Sequence, residues 1–289
     1  MTLSADRPRD PATAVPPRRP PSFWNGVARV FDLSIGEMLW SRRTLFMAIV
    51  LGAPVLLALV ARVVQAAGIA PLRVDGAPVS GPATFGILVW WVYLRFIVPV
   101  LGMFYGTALL ADEVEDKTLT YLFTRPVARS AVLIGKYLAY CVCTGLVVLP
   151  SMTIVFLLLV PFEEMGSELA TLLTDLGLLA VGLAVYGAVF TLAGTAMRRP
   201  LVAGLVFAFG WEQIAMLMPG YLRRFTLVYY LQGLVPHAIP DEGLASLLAA
   251  VISEPPTVAT CLIALAGALV VSLWLAVRVV ERREYVLEQ

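Results

Sequence analysis

The sequence DEVEDKTLTYLFTRPVARSAVLIGK, residues 112–136, is a charged segment between two long apolar stretches. Its acids and bases are Asp112, Glu113, Glu115, Asp116, Lys117, Arg125, Arg129 and Lys136. A charged side chain at the centre of a bilayer costs about 3 kcal/mol, so burying all of these would cost about 24 kcal/mol. The segment is therefore predicted to lie in water, between two membrane-spanning helices.

The first half of this segment has the pattern of a short helix. Its acids lie at the N-terminal end, where they interact favourably with the helix dipole. Pro126 ends the helix because the residue before a proline is disfavoured in the helical conformation. We expect an elbow-shaped segment with an apolar contact surface made by Leu119, Tyr121, Leu122 and Phe123.

The composition restricts the class of protein. Of 289 residues, 60% are hydrophobic and only 14% are charged, which is typical of a polytopic membrane protein. The three cysteines, Cys141, Cys143 and Cys261, lie in apolar stretches and are interpreted as small buried apolar side chains. A metal or redox pair formed by Cys141 and Cys143 is the less favoured alternative.

Six apolar stretches are long enough to cross about 30 Å of hydrocarbon, which takes about 20 residues. The sequence thus predicts an all-α polytopic membrane protein with six transmembrane helices. The predicted spans are residues 44–64, 86–110, 137–160, 176–196, 201–218 and 257–279.

The distribution of basic residues predicts the orientation. With both termini in the cytoplasm, sixteen basic residues lie on the cytoplasmic side and four on the other. This bias satisfies the positive-inside rule, and the opposite orientation inverts it. We expect a multi-pass protein of the plasma membrane, the inner membrane of a bacterium.

The remaining segments are shorter. Residues 1–22 are rich in Pro and Arg and are predicted to be a disordered cytoplasmic tail. Residues 23–43 begin with an amphipathic helix, from Phe23 to about Leu39, suited to the membrane interface. Residues 219–256 hold several prolines and apolar pieces too short to span, which predicts outer re-entrant or interfacial helices. Residues 281–289 form a cytoplasmic C-terminal tail.

Two charged residues, Arg95 and Glu212, fall inside predicted spans and away from their ends. Arg95 precedes Asp112 by 17 residues, about 25 Å along a helix, and Glu212 lies about 20 Å from Arg199. Both are predicted in the outer half of the membrane, where Arg95 and Glu212 can form a pair. An intramembrane charge is a functional candidate, although a structural pair or two separately snorkelling groups is the favoured interpretation.

The chain lacks the motifs of several enzyme classes. A nucleotide-binding loop needs a Gly-Lys followed by Ser or Thr, and the single Gly-Lys, Gly135–Lys136, is followed by Tyr137. One histidine, His237, cannot make a zinc-binding pair and is interpreted as an ordinary surface residue. No strip of basic and aromatic residues predicts nucleic-acid binding. We therefore expect no enzymatic activity, no metal and no cofactor in this chain.

The charged segment also resembles a known family. An acidic pair, Thr-Leu, Arg-Pro-Val, a basic residue and a Gly-Lys that opens the next helix resemble the first intracellular loop of ABC-2 type permeases, the membrane subunits of ATP-binding-cassette transporters. That family usually has Gly before the Thr, and this chain has Lys117. Some resembling permeases are associated with maturation of copper enzymes. The matching residues are Glu113, Glu115, Thr118, Leu119, Pro126, Val127, Arg129, Gly135 and Lys136.

The resemblance implies a permease domain over residues 44–280, with residues 112–136 as a cytoplasmic coupling loop. The implied partners are a separate ATPase subunit that carries ATP and Mg²⁺, a second copy or a paralogous permease, and membrane lipid. Arg125 and Arg129 can bind acidic groups or lipid phosphates, or simply anchor the span. The residues implied to contact the ATPase are Glu113, Glu115, Thr118, Leu119, Tyr121, Leu122, Phe123, Arg125, Pro126 and Arg129.

The implied function is coupling of ATP hydrolysis by that separate subunit to export or translocation of an unidentified substrate. The apolar interior favours a lipid-like, hydrophobic or peptide cargo. Two alternatives remain open at this stage. One is a secondary transporter or channel that needs no ATPase, although few polar groups lie at mid-membrane. The other is a scaffold that transmits ATPase motion without moving a substrate.

Overall fold

The computed structural model describes residues 22–68, 73–74, 77–78, 80–109, 128–217, 221–235 and 256–282. This part of the chain is helical except for one short antiparallel pairing of β1 (Arg73–Val74) with β2 (Ala77–Pro78). The all-α class predicted from the composition is confirmed. The helices are α1 (Phe23–Leu39), α2 (Arg42–Ala66), α3 (Gly81–Gly106), α4 (Arg129–Leu159), α5 (Met165–Ala196), α6 (Pro200–Leu205, Val206–Trp211 and Glu212–Leu217, joined end to end), α7 (Leu227–Gln232) and α8 (Val258–Arg282).

Five helices of the described part, α2, α3, α4, α5 and α8, are long and apolar enough to cross a membrane. They correspond to five of the predicted spans, so a polytopic membrane protein is confirmed. The fifth predicted span, residues 201–218, coincides with α6, whose apolar part Pro200–Ala215 is shorter. A sixth crossing therefore stays a prediction.

Two helices begin well before the first residue of the corresponding predicted span. Helix α4 begins at Arg129 rather than 137, and α5 begins at Met165 rather than 176. The predicted spans begin just after the charged residues Lys136 and Asp175. In the structure Lys136 is partly buried and Asp175 is fully buried, so neighbouring helices accommodate both side chains.

Helices α3 and α5 form the centre of the bundle. They are the most buried of the five long helices and contact each other mainly through the Val98–Gly106 part of α3, whereas α2 and α8 are the most exposed. Helix α2 packs on α4, and α8 packs on α5. The large apolar side chains exposed on α2 and α8, such as Leu56, Val60 and Ile263, are typical of a surface that faces lipid or another subunit.

Helix α1 has the bounds that the apolar spacing predicts. The Ser22 hydroxyl accepts a hydrogen bond from the Asn25 amide at 3.4 Å and caps the helix. Gly26, Val27 and Ser34 are buried, and the helix packs along α4. The interpretation of α1 as a helix packed on its own protein is thus supported, while its position at a membrane interface stays a prediction.

A buried hydrogen-bond chain joins three of the long helices. The Tyr93 hydroxyl of α3 lies 2.9 Å from the Ser151 hydroxyl of α4, and Ser151 Oγ donates to the Leu51 carbonyl of α2 at 3.4 Å. Leu51 follows Val50, whose carbonyl lacks a helical donor because Pro54, four residues later, has no backbone N–H. A serine from a neighbouring helix is a usual way to satisfy carbonyl oxygens beside a membrane proline.

Candidate functional site

The predicted coupling residues lie mostly outside the described residues. These are Glu113, Glu115, Thr118, Leu119, Tyr121, Leu122, Phe123, Arg125 and Pro126. Arg129 is described and is the first residue of α4. Of the predicted tails, 1–22 and 281–289, all but residues 22, 281 and 282 lie outside the described residues, as does His237; residues 281 and 282 belong to α8. The structure does describe the contacts at the two ends of this segment. We call them the base and define it by Thr107 and Leu109 of α3 and its end, Gly135 and Lys136 of α4, Val27 of α1 and Gly194 of α5.

The Gly135–Lys136 pair of the family motif joins three elements at this base. Any side chain at Gly135 would place its Cβ 2.8 Å from the Val27 carbonyl oxygen, so the glycine lets the α1 backbone approach α4 closely. Lys136 Nζ donates to the Leu109 carbonyl at 3.2 Å, just beyond the end of α3. The two sides of the undescribed segment 110–127 are therefore held together by a side chain of α4.

Helix α5 is fastened to the same base. A Cβ on Gly194 of α5 would lie 2.5 Å from the Thr107 carbonyl oxygen at the end of α3. Farther along α5 from Gly194, the Tyr137 hydroxyl of α4 donates to the Ala184 carbonyl at 2.8 Å, and the Tyr140 hydroxyl donates to the Leu183 carbonyl at 2.9 Å. Small residues at contacts and hydroxyls that bond carbonyls are the usual means of joining membrane helices.

A buried polar cluster lies further along the bundle, around Glu212 at the start of the last segment of α6. Glu212 is only 1% exposed. One carboxylate oxygen accepts a hydrogen bond from the Tyr186 hydroxyl of α5, and the other accepts from the Leu227 amide at 3.1 Å. A buried charge is tolerated only with such partners.

The carboxylate completes the N-terminus of α7. Thr226 occupies the N-cap position, but its hydroxyl donates to the Arg223 carbonyl at 2.7 Å and does not accept from the helix. The first amides of a helix have no partner within the helix. Glu212 supplies that acceptor from α6, and so it holds α7 against α5 and α6.

Arg95 of α3 reaches the same cluster through the neighbour of Glu212. Its Nε donates to Gln213 Oε1 at 2.8 Å, and its guanidinium carbon lies 4.8 Å from the centre of the Trp91 ring. Arg95 and Glu212 are close enough to interact electrostatically. Within the described residues no hydrogen bond joins Arg95 directly to Glu212. Arg95 bonds Gln213, whereas Glu212 bonds Tyr186 and the Leu227 amide. The predicted pair is thus brought into one cluster, and direct pairing stays a prediction.

Sequence reasoning missed Tyr186, Gln213 and the Leu227 amide. Tyr186 lies in an apolar run, and nothing in its own neighbourhood marks it as the partner of a carboxylate. One signal was available: an isolated Glu inside an apolar stretch requires donors from other helices. Two π-helical segments were also not predicted from the sequence. Leu88–Ile97 contains Arg95, and Val206–Trp211 directly precedes Glu212.

The cysteines are not part of either region. All three are free thiols; Cys143 and Cys261 are buried, and Cys141 is partly buried. Among the described residues, no group of three or more His, Cys, Asp or Glu side chains is placed to hold a metal ion.

Comparison with protein families identifies the chain. Residues 36–211, more than half of the sequence, match the family described as ABC-2 family transporter protein. The chain belongs to the ABC-2 transporter family. A comparison with curated proteins finds no match.

Membership of the ABC-2 family confirms the resemblance drawn from the charged segment. The chain is a membrane subunit of an ABC transporter, and subunits of this family lack their own ATPase and typically work with an ATP-binding subunit. The matched residues include the base except for Val27 of α1, and they end immediately before Glu212. Of the polar cluster, Arg95 and Tyr186 lie within the ABC-2 family match, whereas Glu212, Gln213 and α7 lie beyond it.

Proposed function

We propose that this ABC-2 family protein is a permease subunit that couples ATP hydrolysis by a separate subunit to movement of a substrate across the plasma membrane. In this proposal the chain has six spans, with α6 as the fifth, and both termini are cytoplasmic. Helix α1 lies at the cytoplasmic interface, and residues 221–235 belong to the outer re-entrant part. Residues 110–127 dock on the ATPase, which carries ATP and Mg²⁺.

The observation that supports the proposal best is the bond from Lys136 Nζ to the Leu109 carbonyl. Because it joins the two ends of the docking segment, a displacement of that segment moves α3 and α4 together instead of pulling them apart. Gly135 adds α1 to this unit, and Gly194 adds α5. We therefore expect the four helices joined at the base to move as one rigid unit when the docking segment is displaced.

The same helices lead to the polar cluster. Tyr186 is on α5 and Arg95 is on α3, and both are also fastened at the base through their helices. Their partners Gln213 and Glu212 are on α6, and Glu212 holds α7. A tilt of α3 and α5 at the base is thus expected to move α6 and α7 on the opposite side. Physical contiguity supports this route, and measured coupling is needed to establish it.

The proposal places two copies of the chain, or this chain and a paralogue, above two ATPase subunits. The exposed apolar faces of α2 and α6 offer surface for a second permease as well as for lipid. The substrate is not specified by the described residues.

The experiment is substitution of both Leu122 and Phe123 by Asp. The tagged chain is purified from its host with the ABC ATPase that accompanies it, and ATP hydrolysis and transport are measured in vesicles. The variant is expected to lose the ATPase, or to keep ATP hydrolysis while transport stops, because two charges enter an apolar contact. A matched control replaces two exposed aromatics of the outer part, Tyr221 and Phe225, by Asp.

The outcomes separate the alternatives. Unchanged coupling in the Leu122 and Phe123 variant argues against the docking role. Substrate or ion flux through the purified chain without ATPase supports a secondary transporter or channel. Normal ATPase binding with no flux of any cargo tested supports a scaffold that transmits motion only.

A further inference from the structure

The contact between α3 and α6 combines partly exposed aromatic side chains with a polar centre. We call it the α3–α6 seam and define it by Trp91, Arg95 and Phe96 on α3 and by Phe209 and Gln213 on α6. Trp91 is 51% exposed, Phe96 is 46% exposed and Phe209 is 38% exposed, so this side of the bundle faces away from the core. Both helices are π-helical here, a feature that is frequent at functional sites.

The guanidinium of Arg95 is fixed within the seam. Its Nε donates to Gln213 Oε1 at 2.8 Å, and its central carbon lies over the Trp91 ring. An arginine has five N–H donors, of which Nε supplies one. Among the described residues, the two terminal nitrogens make no hydrogen bond. The side chain is partly exposed, so these donors form the polar part of the seam.

The nearby carboxylate does not take up these donors. One oxygen of Glu212 accepts from the Tyr186 hydroxyl and the other accepts from the Leu227 amide, and neither bond involves Arg95. Glu212 lowers the net charge of the cluster, but the charge-assisted bonds of a guanidinium depend on direct contact. A positive group at hydrocarbon depth with unused donors is costly unless an anion meets it.

The direction of the side chain favours an anion from the outer leaflet. Arg95 lies about 21 Å along α3 from Leu109. Its stacking on Trp91, one turn earlier, shows that the side chain extends a further turn toward the N-terminus of α3. In the proposed orientation that end is the outer one, and the guanidinium comes to within several ångströms of the outer edge of about 30 Å of hydrocarbon.

We propose that the α3–α6 seam is a binding site for the anionic headgroup of a phospholipid. The terminal nitrogens of Arg95 bind the phosphate oxygens as a fork, a geometry that lysine does not reproduce. The exposed rings of Trp91 and Phe96 contact the glycerol and the upper acyl chain. The leaflet rests on the orientation under the proposed function, but binding itself requires neither ATPase nor transport.

The test is lipid binding to the full chain without its ATPase. Purified protein is exchanged into nanodiscs of equal phosphatidylglycerol and phosphatidylcholine, extracted gently and measured by native mass spectrometry. The wild-type chain is expected to retain phosphatidylglycerol preferentially. Arg95→Gln is expected to weaken that retention about tenfold, the size of a charge-assisted bond to phosphate. Arg95→Lys keeps the charge and is expected to lose most of it too.

Arg278 of α8 provides the matched control. Its guanidinium lies 5.1 Å from the Trp274 ring, also one turn earlier, yet its side chain is exposed and among the described residues it bonds no neighbouring helix. Arg278→Gln is expected to keep the preferential retention. Gln213→Met removes the bond that fixes Arg95 and is expected to weaken retention about threefold, less than removal of the charge.

Several results would overturn the proposal. One is retention of phosphatidylglycerol by a folded Arg95→Gln chain, and another is equal loss in Arg278→Gln. Retention by Arg95→Lys at the wild-type level would show that a positive charge is sufficient and that the forked guanidinium contact is not needed. Competition by inorganic phosphate at millimolar concentration would indicate a free-anion site. If Arg95→Gln changes only the oligomeric state in cross-linking, a second copy covers the seam instead.

Discussion

The base and the polar cluster are held together by different interactions. At the base, a lysine and two glycines act on backbone atoms: the Leu109, Val27 and Thr107 carbonyls. In the cluster, side chains from separate helices bind one another around a fully buried carboxylate. Backbone contacts of this kind tolerate changes in the side chains of the partner, whereas the cluster depends on every member. We therefore expect the base to be robust to polar substitution and sensitive to added volume, and the cluster to show the opposite.

The largest effect is expected for Glu212→Ala. The change leaves the buried Tyr186 hydroxyl and the partly buried Leu227 amide without an acceptor, each costing about 1–3 kcal/mol. We expect a loss of about 3 kcal/mol in the free energy of unfolding, measured in mixtures of mild detergent and SDS. The exposed Glu281→Ala on α8 is the control. A Glu212→Ala chain as stable as Glu281→Ala would contradict the view that the cluster depends on this carboxylate.

The next effect is expected at the base, for Gly194→Ala. Its methyl group would lie 2.5 Å from the Thr107 carbonyl oxygen, which is backbone and cannot rotate away. Overpacking of this kind costs about 1–3 kcal/mol in the free energy of unfolding. A methyl group at Gly145 of α4 would have no neighbouring atom within 4 Å, so Gly145→Ala is the control and should be neutral or stabilising. Equal stability of the two variants would mean that α3 and α5 do not meet closely at the base.

Lys136→Met sharpens the comparison because its two readouts should differ. Losing one hydrogen bond to the Leu109 carbonyl is expected to cost about 1 kcal/mol of stability. ATP-dependent transport should fall much further, since the two ends of the docking segment are no longer joined. Arg198→Met, an exposed base in the turn before α6, should leave transport unchanged. Parallel small losses in stability and transport would show that Lys136 has only a structural role.

The smallest effect is expected for Tyr137→Phe. The hydroxyl bonds the Ala184 carbonyl, which lies inside α5 and keeps its own helical partner, so little is left unsatisfied. We expect about 0.5–1 kcal/mol, measured in the same detergent titration. A loss as large as that of Glu212→Ala would mean that hydroxyl contacts, rather than the carboxylate, carry the difference between the two regions.

The base could be predicted in part. The charged segment predicted that the chain leaves the membrane between α3 and α4, and the Gly-Lys motif marked the two residues that now have structural roles. The sequence could not show what Gly135 approaches, because Val27 is more than a hundred residues away along the chain. Lys136 also misled the prediction of where α4 begins, because a charge was interpreted as the end of the water-exposed segment.

By itself the sequence determined the membrane class, the helical fold, most of the spans and the family, because hydropathy and charge act locally and a bilayer requires long apolar helices. The tertiary structure decided which residues of different helices meet. Glu212 is an isolated charge in the sequence, and its contacts with Tyr186 and α7 arise only when α5, α6 and α7 pack together. The cost of a buried charge makes such partners necessary, but only packing selects which donors they are.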